Sequence, residues 1–97
     1  MSENNMGPNN EPTPEETLKL VEKSIADHEA ELVKAEAEVT NLSDERAKAL
    51  KDGDQERVKE IYGKLQNVMS FKIAVKSKIR QLEAYKQELI EEIGETE

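Results

Sequence analysis

The chain has 97 residues, no cysteine, 3% aromatic residues and 22 acidic against 14 basic side chains, giving a net charge of −8. This bounds it to a single domain and excludes a disulfide framework and a thiolate metal site. With few bulky rings and 37% charged residues, it lacks the material for a globular core and has the composition of long helices or coiled coil.

The chain opens on "MSENNMGPNN", which has neither the basic nor the apolar region of a signal peptide. Residues 1–12 offer almost nothing to bury and are expected to be a disordered tail. The next residues, "TPEE", read as a helix start. The Thr13 hydroxyl can accept from the Glu16 N–H, Pro14 suits the first helical position, and Glu16 can reach back to the cap. Its acids also face the positive end of the helix dipole.

Beyond the cap, apolar positions step by three and four through Leu18, Val21, Ile25, His28, Leu32, Ala35, Val39 and Leu42, a heptad seam containing one histidine. The pattern weakens at Arg46, Ala49 and Leu50 and reaches "KDGD", where Gly53 can end a helix and Asp54 can cap the next. It resumes from Val58 through Ile61, Leu65, Val68, Lys72, Val75, Ile79, Leu82, Lys86, Leu89 and Ile93, with Gly94 expected as the stop. The reading is all-α: a helix over about 14–51, a turn at 52–54 and a helix over about 54–93. So short a turn permits only an antiparallel two-helix coiled-coil hairpin, in which each residue faces one about equally far from Gly53 on the other helix.

From Tyr62 to Leu82, "YGKLQNVMSFKIAVKSKIRQL", there is no acid at all. Its bases Lys64, Lys72, Lys76, Lys78 and Arg80 make it too costly as a membrane span. They are expected to face the acid-rich segment of the first helix, which holds Asp27, Glu29, Glu31, Glu36 and Glu38. Leu65, Val68, Met69, Phe71, Ile73 and Val75 spread over more than one face of the second helix, and one opposing seam cannot cover them. A second copy of the hairpin would, giving a homodimeric four-helix bundle with Met69, Phe71 and Ile73 at its interface.

No pattern of catalytic, cofactor-binding or metal-ligating residues appears, so an enzyme is not expected. His28 is the sole histidine and reads as a hydrogen-bonded residue that fixes register, with a pH-sensitive contact as the alternative. Arg46, Lys72 and Lys86 are expected to pack their stems on the seam and reach acids such as Glu60, Glu31 or Glu36. Asp52, Asp54 and Glu56 lack the ligand spacing of a calcium loop and read as a plain turn. Gly63 faces Ser43 and is expected to allow close helix approach.

The unbalanced charge collects at the open end of the hairpin, on Glu15, Glu16 and Glu22 of the first helix and Glu83, Glu88, Glu91 and Glu92 of the second. Carboxylates spaced along a helix can imitate a phosphate backbone. The expected partner is therefore a basic protein, with a DNA-binding protein the specific case and a DNA mimic the specific role. The negative field argues against direct binding of nucleic acid. The alternative is a structural or adaptor coiled coil, such as a scaffold or chaperone-like hairpin, acting through apolar faces. A cytoplasmic location is expected.

The segment "ALKDGDQERVKEIYGKLQ" is similar to the short helical hairpin of UVR-type motifs over under a fifth of the chain. The plan also resembles small secreted hairpins of the WXG type, but "KDGD" stands where their Trp-x-Gly turn would be. Small acidic phage proteins that block host DNA-binding proteins are similar in size, charge and lack of cysteine. None of these identifies a family.

Overall fold

The computed structural model describes residues 11–96. Two helices, α1 (Pro14–Asp52) and α2 (Gln55–Thr96), pack side by side as an antiparallel hairpin with extents of 73 × 27 × 14 Å. The expected tail lies outside the described residues except for Glu11 and Pro12, which precede the helix and are exposed.

Local chemistry sets the helix ends. The Thr13 hydroxyl accepts from the Glu16 N–H at 3.1 Å, and the Thr13 N–H donates to Glu16 Oε1 at 2.8 Å. Two donors left over at the helix start are thus satisfied reciprocally. At the other end Gly53 takes a left-handed conformation, φ 74° and ψ 17°. The Gly53 N–H then reaches the Leu50 carbonyl at 3.2 Å and the Asp54 N–H the Ala49 carbonyl at 2.9 Å, the two bonds of a Schellman motif. Asp54 starts α2 by accepting from the Arg57 N–H at 3.1 Å.

Gly94 does not stop α2, which continues through it to Thr96. A glycine costs about 1 kcal/mol inside a helix but ends one only when its backbone turns left-handed. Among the described residues that happens at Gly53 alone. Gly63 is also not a point of close approach: a Cβ built on it would meet nothing within 4 Å.

The heptad seam is the core. Val21, Ile25, Ala35, Leu42 and Ala49 of α1 are buried, as are Ile61, Val75 and Leu89 of α2. Their packing falls into two clusters. Val21, Ile25 and Leu89, with Leu18, Ile79 and Leu82 against them, form one near the open end. Leu42, Ala49 and Ile61, with Val58, Leu65 and Val68, form the other near the turn. Between them the seam carries half-buried His28, Leu32 and Lys72 with buried Ala35 and Val75. The middle of the rod is therefore its least apolar part. Arg46, expected on the seam, is exposed. Among the described residues no helix is long and apolar enough to cross a membrane.

Candidate functional site: an acidic end and a one-sided apolar face

Glu15, Glu16 and Glu22 of α1 and Glu83, Glu88, Glu91 and Glu92 of α2 are all exposed, and the hairpin brings them to one end. They are not equally free. Glu16 is engaged in the cap, and Glu22 Oε2 lies 3.5 Å from Lys86 Nζ. Glu15, Glu83, Glu88, Glu91 and Glu92 make no ion pair among the described residues. Glu88, Glu91, Glu92 and Glu95 recur at three- and four-residue steps. Such spacing sets neighbouring carboxylates about 5–6 Å apart along one stripe of a helix.

The cross-helix charge pairing differs from the sequence expectation. The pairs that bridge the helices are Arg57–Glu45 at 3.1 Å and Lys86–Glu22 at 3.5 Å. Arg57 also reaches Glu60 at 3.3 Å. Asp27 is held by Lys23 on its own helix at 3.9 Å, and Glu31 by His28 Nδ1 at 2.7 Å. Neither acid pairs with Lys76, Lys78 or Arg80 among the described residues. The reason is angular: Asp27 projects away from α2, and the histidine one turn earlier captures Glu31. Lys86 reaches Glu22 and not the acids proposed for it, because Glu22 stands at nearly the same distance from the turn, whereas Glu31, Glu36 and Glu60 all lie much nearer to it. His28 is thus a half-buried, hydrogen-bonded seam residue. Asp54, the central acid of the turn, spends its carboxylate on the Arg57 N–H.

The exposed apolar residues divide between the two broad faces of the hairpin. On one, Phe71 lines a shallow groove with Glu31, Lys34, Ala35, Glu38, Asn67 and Val68. The Arg57–Glu45 pair shares that flank, fourteen residues before Phe71. On the opposite flank, Leu50 and Tyr62 line a groove with Arg46 and Val58 beside the turn. Met69 and Ile73 follow Tyr62 by seven and eleven residues and therefore project to its side. Ile90, four steps of seven beyond Tyr62, falls there too, and so does Val33, which lies between Glu29 and Glu36 of the seven-residue row that leads to Leu50. Of the three expected interface residues, Met69 and Ile73 share a face, and Phe71 stands on the other.

The face that Met69 and Ile73 share collects most of the large exposed apolar side chains: Val33, Leu50, Tyr62, Met69, Ile73 and Ile90. Ile73 is 69% exposed and Met69 54%. Sequence reading caught Met69 and Ile73 and missed Leu50, Tyr62, Val33 and Ile90. The signal was present as a second three-and-four spacing, Tyr62–Gln66–Met69–Ile73, displaced from the main seam. No protein-family model, no curated protein and no solved structure matches the chain.

Proposed function

We propose that this is a non-enzymatic binding protein whose acidic open end engages the basic surface of a protein partner. The carrying observation is that five carboxylates there, Glu15, Glu83, Glu88, Glu91 and Glu92, are exposed and make no ion pair among the described residues, on a chain of net charge −8. A protein surface built to hold phosphates offers Lys and Arg at the spacing such a stripe can meet. A DNA-binding protein is the proposed specific case, with the hairpin competing for its nucleic-acid surface. Association would be steered by the field and weakened by salt. The cytoplasm is the compartment proposed for it, and a homodimer the proposed active form.

The test is charge reversal. Partners are captured from lysate at low salt, and displacement of each from duplex DNA is measured. Changing Glu83, Glu88, Glu91 and Glu92 to Lys should abolish capture and displacement while helicity is kept. Asp27→Lys with Glu31→Lys should leave both largely intact. Retained affinity in the open-end variant would refute the reading.

A second reading, an adaptor coiled coil acting through apolar contacts, is favoured by the exposed face that holds Leu50, Tyr62, Met69 and Ile73. It calls for partners that resist salt and are lost when Tyr62 and Met69 are changed to Glu.

A further inference from the structure

The apolar face has charges of its own, and they are arranged by helix. On the α1 side it shows Glu29 and Glu36, placed there by their seven-residue steps from Leu50. On the α2 side it shows Lys76 and Arg80, by the same steps from Tyr62 and Ile73. All four are exposed and none makes an ion pair among the described residues. The face is thus apolar along its length, acidic on one helix and basic on the other in the middle of the rod. The same middle is where the hairpin's own seam is most polar, at His28 and Lys72.

We infer that this face is covered by a second copy of the chain, with the two turns at the same end and α2 of each copy lying on α1 of the other. Two twofold axes could bring the faces together. An axis across the rod puts the turns at opposite ends and stacks α2 on α2 and α1 on α1. It sets Lys76 and Arg80 against the acid-free stretch of the second copy, and the Glu29 and Glu36 segments against each other. Like charges then face like on α1, and no acid lies opposite Lys76 and Arg80 on α2.

An axis along the rod instead stacks α2 on the second copy's α1, with residues matched by distance from the turn. Ile73 and Val33 stand equally far from Gly53 and meet at the centre. Lys76 and Glu29 match to within one residue, and Gln66 and Thr40 match outright. At the centre apolar thus meets apolar and Lys76 meets Glu29, while Glu36 stands at the height of Ser70, beside Met69. The hairpin's 73 × 27 Å outline exceeds the roughly 800 Å² per partner that a specific interface covers.

This arrangement brings two acidic open ends together. Their carboxylates are exposed and screened over about 8 Å at physiological salt, whereas the central contacts are drawn out of water. The dimer then presents a doubled acidic surface at one end. The inference does not depend on what that end binds.

The chain's lack of cysteine makes the test direct. Two single-cysteine proteins, Ile73→Cys and Val33→Cys, are prepared and shown by circular dichroism to keep their helicity. Each is oxidised alone and as an equal mixture. The expected result is roughly tenfold more disulfide-linked dimer in the mixture than in either protein alone, because the bond forms only when the two Cβ atoms come within about 4.5 Å. Cross-linking of either single protein as efficiently as the mixture would overturn the arrangement in favour of opposed turns. Sedimentation supplies an independent readout. Ile73→Glu should be monomeric and Phe71→Glu, on the other face, dimeric. A monomeric unmodified chain at micromolar concentration, or dissociation by Phe71→Glu and not by Ile73→Glu, would overturn the inference.

Discussion

The same substitution at two glycines should move stability in opposite directions, by amounts the backbone dictates. Gly63 lies inside α2 with no positive φ, and an added Cβ would meet nothing within 4 Å. Gly63→Ala therefore changes helix propensity alone and should stabilise by about 0.8–1.0 kcal/mol. Gly53 sits at φ 74°, also with nothing within 4 Å of a built Cβ. Space is no obstacle there, but a left-handed backbone costs an alanine about 1–2 kcal/mol. Loss of unfolded-state freedom returns roughly 0.4–1 kcal/mol of that. The net expectation for Gly53→Ala is a destabilisation of about 1 kcal/mol, or more if the Schellman bonds to Leu50 and Ala49 are also lost. In a domain of this size each kcal/mol shifts Tm by about 4–8 °C. Thermal melts followed by far-UV circular dichroism at one fixed concentration would read both shifts. The double variant should return near the parent, since independent sites add to within about 0.5 kcal/mol. A drop in Tm for Gly63→Ala would refute the reasoning. It would mean that another surface lies against Gly63, as the sequence alone had implied for α1.

Among the described residues Ile61 is the one fully buried large side chain, at 0% exposure in the cluster with Leu42 and Ala49. Ile61→Ala should cost about 2–5 kcal/mol in urea unfolding; a loss below about 1 kcal/mol would mean that the cluster near the turn is not a packed core. Thr13→Ala removes the hydroxyl that accepts from Glu16 and should cost about 1 kcal/mol, seen as faster amide exchange confined to the first turn of α1. An unchanged exchange rate there would show that the capping box contributes nothing in solution.

What the sequence alone determined was everything set by neighbours in the chain. Thr13, Pro14 and Glu16 start α1, Gly53 and Asp54 make the turn, and the three-and-four spacing from Leu18 to Ile93 marks the seam that became the core. These features depend on bonds and side-chain directions within about one helical turn, so they can be counted off residue by residue. Arg46 and Gly94 were misplaced because a heptad count does not say whether a long side chain on the seam stays buried, or whether a glycine's φ turns positive. Which residues face one another was decided by the tertiary structure. Asp27 and Glu31 found Lys23 and His28 on their own helix, and Lys86 found Glu22 across the hairpin. Distance from the turn fixes the height of a residue on the rod but not its angle around the helix. Partnership needs both, and the angle acquires a meaning only once the second helix is in place.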